Sequence, residues 1–161
     1  MIHRDVACRN ILLYENNKIA KIADFGLCCN CNESETYYAT SHKKLPLKWV
    51  SIEALCDRKF SEKSDVWAFG ILCYEMFSLG AEPYPTFTHA EMFEFLQSGK
   101  RLAKPKDSSD EIYQLMLDCW KENPADRLCF AEIVEILRKM LESQTAEYGY
   151  VPLDDYYKEL I

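Results

Sequence analysis

Two short polar motifs on either side of a strand–turn–strand pattern constrain this chain more than any other feature. Residues 3–10 read H-R-D-V-A-C-R-N, and residues 24–26 read D-F-G. Between them, apolar-rich runs at residues 11–14 and 18–22 flank a turn-forming E-N-N, which predicts a β-hairpin. Because the two open ends of a hairpin lie side by side, Asn10 and Asp24 are expected to be neighbours.

The rest of the chain has helical patterns. Residues 64–79 are apolar on every helical face, which predicts a buried central helix. Its carboxylates, Asp65 and Glu75, need partners because an unpaired buried charge is costly, and Asp65 is expected to accept backbone N–H groups. T-H-A-E and S-S-D-E, which begin at Thr88 and Ser108, predict capping boxes that open two helices. With a last amphipathic helix over residues 130–141, the expected fold class is mainly α with one short β-hairpin.

Composition disfavours several classes of function. The net charge of −7 argues against nucleic acid as a partner, because phosphate contacts require a basic surface. No apolar run is long enough to cross a membrane. Eight cysteines without an apolar leader indicate free thiols in a reducing, cytoplasmic compartment. The C-C-N-C run at residues 28–31 lacks the second Cys or His pair of a zinc site, so a metal cluster is disfavoured.

The two motifs resemble the H-R-D-x-x-x-x-N and D-F-G pair of protein kinases. Arg9 directly before Asn10, together with L-P-L-K-W at residues 45–49, narrows the resemblance to the tyrosine-specific branch, and the tandem tyrosines at residues 37–38 favour the receptor type. The resemblance covers residues 1–143 and implies the large, C-terminal lobe of a tyrosine kinase catalytic domain. The sequence contains no glycine-rich phosphate loop or strand lysine, so the small lobe is expected to be absent. Residues 144–161 are expected to form a flexible, tyrosine-containing tail.

The resemblance implies roles for four residues in phosphoryl transfer. Asp5 would accept or orient the proton of the substrate hydroxyl, and Arg9 would face the acceptor tyrosine. Asn10 and Asp24 would supply oxygen ligands to magnesium on the phosphates of ATP. The alternative is that these are ordinary turn residues, but their joint spacing disfavours it.

Residues 24–50 are polar and lack periodicity, so they are expected to form a long functional loop. The resemblance implies a substrate platform near the end of this loop. Pro46 lies where the family stacks a residue beneath the incoming tyrosine, and Lys48 and Trp49 would anchor that platform. The alternative for Pro46 is that it merely ends the loop.

Three further residues, and His3 beneath the catalytic loop, are expected to be structural. Glu53 falls at the glutamate of the family's A-P-E motif, and Arg127 would be its ion-pair partner. Asp65 would hold backbone amides. V-S-I-E at residues 50–53 replaces the usual M-A-P-E, so the turn loses its stiffening proline.

Tyr37 is expected to be the main regulatory phosphorylation site, with Tyr38 beside it. Arg4 would clasp the phosphorylated tyrosine, with less help than usual because Cys29 stands where the family often has arginine. The alternative is two exposed aromatic residues without a switch function. In the tail, Tyr150 and Tyr157 each precede an apolar residue by three positions, a pattern that phosphotyrosine-binding adaptors read, although a plain tail fits equally well.

The resemblance therefore implies a protein tyrosine kinase that transfers the γ-phosphate of ATP to protein tyrosines, in the intracellular part of a membrane receptor. The 161-residue chain alone is expected to be inactive without a small lobe. The alternative is a non-catalytic lobe that acts as a binding or regulatory module. A degenerate pseudokinase is disfavoured because Asp5, Asn10 and Asp24 are all present.

Overall fold

The computed structural model describes residues 1–31, 35–39 and 45–147, and they form a mainly helical fold with 50% helix and 12% strand. This confirms the predicted fold class. The strands are β1 (Ile11–Tyr14), β2 (Ile19–Ile22), β3 (Thr36–Tyr38) and β4 (Lys59–Ser61), and the helices are α1 (Ile52–Asp57), α2 (Glu62–Phe77), α3 (His89–Gln97), α4 (Asp110–Cys119) and α5 (Phe130–Glu147). Short 3-10 turns cover Cys8–Asn10, Phe25–Leu27, Leu47–Trp49 and Pro124–Asp126.

The predicted hairpin is formed by β1 and β2. The strands pair antiparallel, with Ile11 opposite Ile22 at the open end. The three turn residues, Glu15 to Asn17, all adopt left-handed backbone angles, which asparagine tolerates better than most residues. One further bond, from the Ala23 N–H to the Asn10 carbonyl at 2.8 Å, continues the ladder. Asn10 therefore lies beside the residue that precedes Asp24, as the hairpin predicts.

Helix α2 is the predicted central helix. Val66, Trp67 and Ile71 are each no more than 1% exposed, in keeping with an apolar pattern on every face. The helix begins at a reciprocal cap between Ser61 and Ser64. It ends with the Gly80 N–H bonded to the Glu75 carbonyl at 2.7 Å, a Schellman-type stop. The observed bounds lie two residues before the predicted ones.

Helices α2 and α4 pack together at a glycine. A Cβ atom placed on Gly70 would lie 2.5 Å from Nε1 of Trp120 and 2.9 Å from Cβ of Cys119. Trp120 is 1% exposed, so its ring has little room to move. The close approach of the two helices therefore depends on the absence of a side chain at residue 70.

One of the two predicted capping boxes forms. Thr88 accepts from the Glu91 N–H at 3.3 Å, and the Glu91 carboxylate accepts from the Thr88 N–H at 2.8 Å. The box predicted at Ser108 is wrong, because α4 begins one residue later and Ser109 caps it through the Ile112 N–H at 3.2 Å. The Ser108 hydroxyl instead donates to the Pro105 carbonyl at 2.9 Å.

Strand β3, within the stretch of residues 24–50 that the sequence predicts as a loop, forms a second two-stranded sheet with β4. Strands β3 and β4 pair antiparallel, with Tyr37 opposite Phe60. Phe60 belongs to a small buried cluster with Ile2, Val50 and Ala54. The loop after the D-F-G motif is therefore anchored to the core through β3.

The chain divides into two units, residues 1–128 and residues 129–161. In the second unit, α5 is preceded by a cap in which Glu132 accepts from the Cys129 N–H at 2.7 Å. Its helix continues to Glu147, beyond the predicted stretch. Tyr150 and Tyr157 lie outside the described residues. Within the ranges that the structure describes, no helix combines the length and apolarity needed to cross a membrane.

Candidate active site

A buried carboxylate on helix α2 shapes the first motif. Asp65 accepts the His3 N–H at 2.7 Å through Oδ2 and the Arg4 N–H at 2.9 Å through Oδ1. Burial raises the pKa of Asp65, and these two bonds act in the opposite direction. Arg4 has a φ of 66°, a strained value for a residue with a side chain, and the bonds to Asp65 hold it there.

His3 connects the first motif to the second. Its Nε2 donates to the Ala23 carbonyl at 3.1 Å, and its Nδ1 accepts from the Asp5 N–H at 3.3 Å. The ring also meets Phe25 edge-on, with centroids 5.3 Å apart. These contacts agree with a structural role beneath the loop.

Asp5, Arg9 and Asn10 lie together on the loop. The Arg9 guanidinium contacts the Asp5 carboxylate directly, and the Asn10 amide nitrogen donates to the Asp5 carbonyl at 2.8 Å. The Asp5 side chain is 11% exposed, whereas that of Arg9 is 42% exposed. The Asp5 carboxylate is therefore mostly shielded from solvent, and the Arg9 guanidinium lies beside it.

Asn10 and Asp24 could hold a magnesium ion at the open end of the hairpin. The Asn10 amide nitrogen donates to the Asp5 carbonyl, which leaves the side-chain oxygen of Asn10 as the atom that can ligate a metal. Asp24, with a φ of 59°, is exposed, and its Oδ1 accepts from the Gly26 N–H at 3.2 Å. No cluster of three or more His, Cys, Asp or Glu side chains suited to a metal occurs among the described residues. Two oxygen donors fit magnesium shared with phosphates, because this ion takes few protein ligands in such sites.

The predicted platform residues, Pro46, Lys48 and Trp49, lie in the 3-10 turn Leu47–Trp49 and directly before it. Pro46 precedes the turn, and its carbonyl accepts the Trp49 N–H at 2.9 Å. Lys48 donates to the Glu82 carboxylate at 2.8 Å and to the Tyr84 carbonyl at 3.1 Å. The turn is therefore tied to the segment before α3.

Glu53 and Arg127 form a bidentate ion pair. Both guanidinium nitrogens donate to the carboxylate at 2.8 Å. The Arg127 side chain is fully buried, and that of Glu53 is 13% exposed. The pair joins α1 to the turn after α4, although the proline of the usual motif is replaced by Ile52.

Tyr37 packs against Arg4. The guanidinium lies 4.9 Å from the centroid of the Tyr37 ring and 5.4 Å from that of Phe60, and its Nε donates to the Leu27 carbonyl at 2.6 Å. Tyr38, on the opposite face of β3, is 54% exposed. Arg4 and Tyr37 are thus in contact before any modification of the tyrosine.

Residues 1–137, which include every site residue described above, match a family model for protein tyrosine and serine/threonine kinases. The chain belongs to this kinase family. The predicted resemblance to the tyrosine kinase family is confirmed.

The curated relatives to which this chain is similar in sequence are receptor tyrosine kinases. It is 45% identical over 159 residues to vascular endothelial growth factor receptor 1 of Gallus gallus, an alignment that covers 97% of this chain and 12% of the relative. It is 46% identical over 156 residues to the receptor of that name in Mus musculus, with 95% and 12% covered. It is 44% identical over 153 residues to the fibroblast growth factor receptor of Strongylocentrotus purpuratus, with 95% and 16% covered. The kinase chain therefore spans 12–16% of the length of these relatives.

The sequence did not reveal how residues 46–49 are joined to residues 3–10. Glu75, which the sequence marks only as a charge in need of a partner, accepts from both the Trp49 indole and the Cys8 N–H. Arg9 stacks over the Trp49 ring. The signal that the sequence offered was a carboxylate in the mostly apolar second half of α2.

Proposed function

We propose that this chain carries the catalytic loop of a protein tyrosine kinase that uses ATP and magnesium. The observation that supports this most is the grouping of Asp5 and Asn10 on one loop with Asp24 across the hairpin end. Asp5 takes the proton of the substrate phenol while the phenol oxygen bonds to the γ-phosphorus. The bond between that phosphorus and its bridging oxygen breaks, and ADP leaves. Magnesium, when bound, neutralises charge on the phosphates.

Selection of tyrosine is proposed to involve Arg9 and the platform. A phenol reaches farther than the hydroxyl of serine, so it requires an apolar surface set back from the phosphates. Pro46 supplies that surface, and Lys48 keeps the turn in place through Glu82 and Tyr84. Arg9, in contact with Asp5, is proposed to face the ring of the acceptor tyrosine.

The test joins the chain to the small lobe of a receptor tyrosine kinase and measures transfer of labelled γ-phosphate to a tyrosine peptide. Asp5→Asn should lower the rate by about 100-fold or more, because general base catalysis contributes that much. Glu94→Gln, on the exposed surface of α3, is the matched control and should retain the parent rate. Equal labelling by the Asp5→Asn protein would refute the proposal. The chain alone is expected to transfer no phosphate.

A second candidate is a non-catalytic binding or regulatory lobe. It is favoured by exposed apolar residues in the hairpin and in the 3-10 turn after it, where Leu12, Leu13 and Phe25 are 47%, 57% and 55% exposed. This candidate predicts that the joined protein transfers no phosphate even with Asp5 intact.

Regulation is proposed to act through Tyr37, which already contacts Arg4. A phosphate on Tyr37 would replace a ring contact by charge-assisted hydrogen bonds from the guanidinium. Peptide mass spectrometry of the autophosphorylated, joined protein should find Tyr37 modified first, ahead of Tyr38. Modification of Tyr150 or Tyr157 beside an unmodified Tyr37 would contradict this.

The two tail tyrosines are proposed as docking positions for phosphotyrosine-binding adaptors. Apolar residues three positions after Tyr150 and Tyr157 support this. The names of the relatives also support a place in the intracellular part of a membrane receptor. Peptide pull-downs test the docking, and equal capture by phosphorylated and unmodified peptides would contradict it.

A further inference from the structure

One carboxylate oxygen links two segments of the candidate active site. Oε2 of Glu75, near the end of α2, accepts the Trp49 indole N–H at 2.9 Å and the Cys8 backbone N–H at 3.0 Å. Trp49 belongs to the platform turn, and Cys8 to the catalytic loop. Glu75 is half-buried, so these bonds are only partly open to competition from water.

Both partners of Glu75 adjoin Arg9. Cys8 directly precedes it, and the Trp49 ring lies under its guanidinium at 4.5 Å. Arg9 then reaches the Asp5 carboxylate. A contact path thus runs from Glu75 through Trp49 and Arg9 to Asp5.

The chemistry of these contacts suits positioning. An indole N–H can only donate, so the carboxylate that accepts from it restrains the ring on which the guanidinium stacks. Bonds to an ionised acceptor are stronger than bonds between neutral groups. A second contact holds the neighbouring residue, because the Cys8 thiol donates to the Leu72 carbonyl at 3.7 Å.

We propose that Glu75 is a positioning residue for phosphoryl transfer, which holds the Trp49 ring and the Cys8 peptide so that the Arg9 guanidinium stays against the Asp5 carboxylate. This rests on the proposed kinase function. The position of Glu75 itself can be tested without catalysis.

The first test observes the Trp49 indole N–H by NMR in the chain as it stands. Its resonance is assigned as the one lost in Trp49→Phe. Glu75→Leu should shift that resonance and speed its exchange with solvent deuterium, because the acceptor of the indole N–H is gone. Glu94→Gln, on the exposed surface of α3, is the control and should leave the resonance unchanged. An unchanged Trp49 indole resonance in Glu75→Leu would overturn the assigned contact.

The second test measures kinetics in the protein joined to a small lobe. Glu75→Leu removes the acceptor and should lower kcat for a tyrosine peptide by roughly 10- to 100-fold, with KM for ATP unchanged. Glu75→Gln retains an acceptor oxygen and should restore most of kcat. Loss of kcat in the leucine variant without rescue in the glutamine variant would contradict positioning, and so would an unaffected kcat in both.

Trp49→Phe covers the case in which Glu75→Leu fails to fold. Phenylalanine keeps a ring under Arg9 but has no N–H for Glu75. Its kcat should fall although Glu75→Gln retains most of its own, because only the phenylalanine variant lacks the indole N–H that Glu75 accepts. An unaffected kcat in Trp49→Phe would overturn the proposal. A Trp49 indole resonance that shifts in Glu75→Leu, combined with a joined protein insensitive to Asp5→Asn, would instead reject the kinase function while leaving the Glu75 contact intact.

Discussion

Arg127 shows how much one side chain can hold together at the residue scale. A guanidinium has five N–H donors, and Arg127 places them on both oxygens of Glu53 and on three carbonyls. The carbonyls are those of Lys121 at 2.8 Å, Lys63 at 2.9 Å and Glu122 at 3.2 Å. The ring of Trp67 lies 4.9 Å from the guanidinium carbon. Every donor is therefore satisfied although the side chain is fully buried.

Arg127→Met should reduce the free energy of unfolding by about 3–5 kcal/mol, because it strands the Glu53 carboxylate and three carbonyls. Urea unfolding of the chain, followed by tryptophan fluorescence, measures this. Arg138→Met is the control, since its pair with Glu135 is about half exposed and should contribute only about 0–1 kcal/mol. Equal effects of the two substitutions would contradict the account of Arg127.

The sequence predicted the pairing of Glu53 with Arg127 but not the carbonyls, and the reason is general. A sequence motif shows which charged side chains are present. Every residue has a backbone carbonyl, so the sequence does not show which carbonyls accept hydrogen bonds. Glu75 illustrates the same limit. Its position in an apolar helix shows that a partner is required, but the identity of Trp49 as that partner depends on which segment packs there.

At the scale of elements, the contact between α2 and α4 is set by the smallest residue in the central helix. Gly70 would ordinarily weaken a helix by about 1 kcal/mol relative to alanine. Here it allows the Trp120 ring to approach the α2 backbone. Packing between elements has therefore overridden local helix propensity.

Gly70→Ala should destabilise the chain by about 1–3 kcal/mol, because the added methyl group would overlap the buried Trp120 ring. The melting temperature, followed by circular dichroism, measures the change. The same substitution made in a Trp120→Phe background should cost less, since the smaller ring leaves space. A stabilising Gly70→Ala would mean that helix propensity dominates and that the close approach is unimportant.

Elements with a strong periodic signal were predicted well, and short ones were not. The hairpin has two apolar runs around a turn sequence and α2 has a long apolar pattern, so each was predicted to within two residues at either end. Strands β3 and β4 have three residues each and pair across more than twenty residues of chain, so neither shows a pattern of its own. The shift from Ser108 to Ser109 at the start of α4 arose because two adjacent serines can both cap.

At the scale of the whole molecule, the cysteines link stability to pH. All eight are free thiols, as the sequence predicted. Burial raises the pKa of Cys8 to about 11 and that of Cys119 to about 12, from an ordinary value of 9.0, and it also raises the pKa of Cys73. The folded chain therefore keeps protons that the unfolded chain releases above pH 9.

The free energy of unfolding should consequently be constant with respect to these thiols below about pH 9 and fall as the pH rises towards 11 and 12. Urea midpoints at pH 8, 9, 10 and 10.5 in the presence of a phosphine reductant measure this. Cys119→Ala should make the decline shallower, whereas Cys56→Ala, at an exposed position, should change it less. Identical slopes in all three proteins would show that the buried thiols do not contribute.

The bonds from Asp65 and Glu75 to residues 3, 4 and 8 cross 61 to 67 residues of chain. During translation, residues 3–10 are synthesised well before either carboxylate. Residues 3–10 therefore cannot adopt their native conformation until helix α2 has been synthesised and has packed against them. A nascent chain that stops before residue 75 lacks the acceptor of the Cys8 N–H, so residues 3–10 are not fully folded although all of them have been translated.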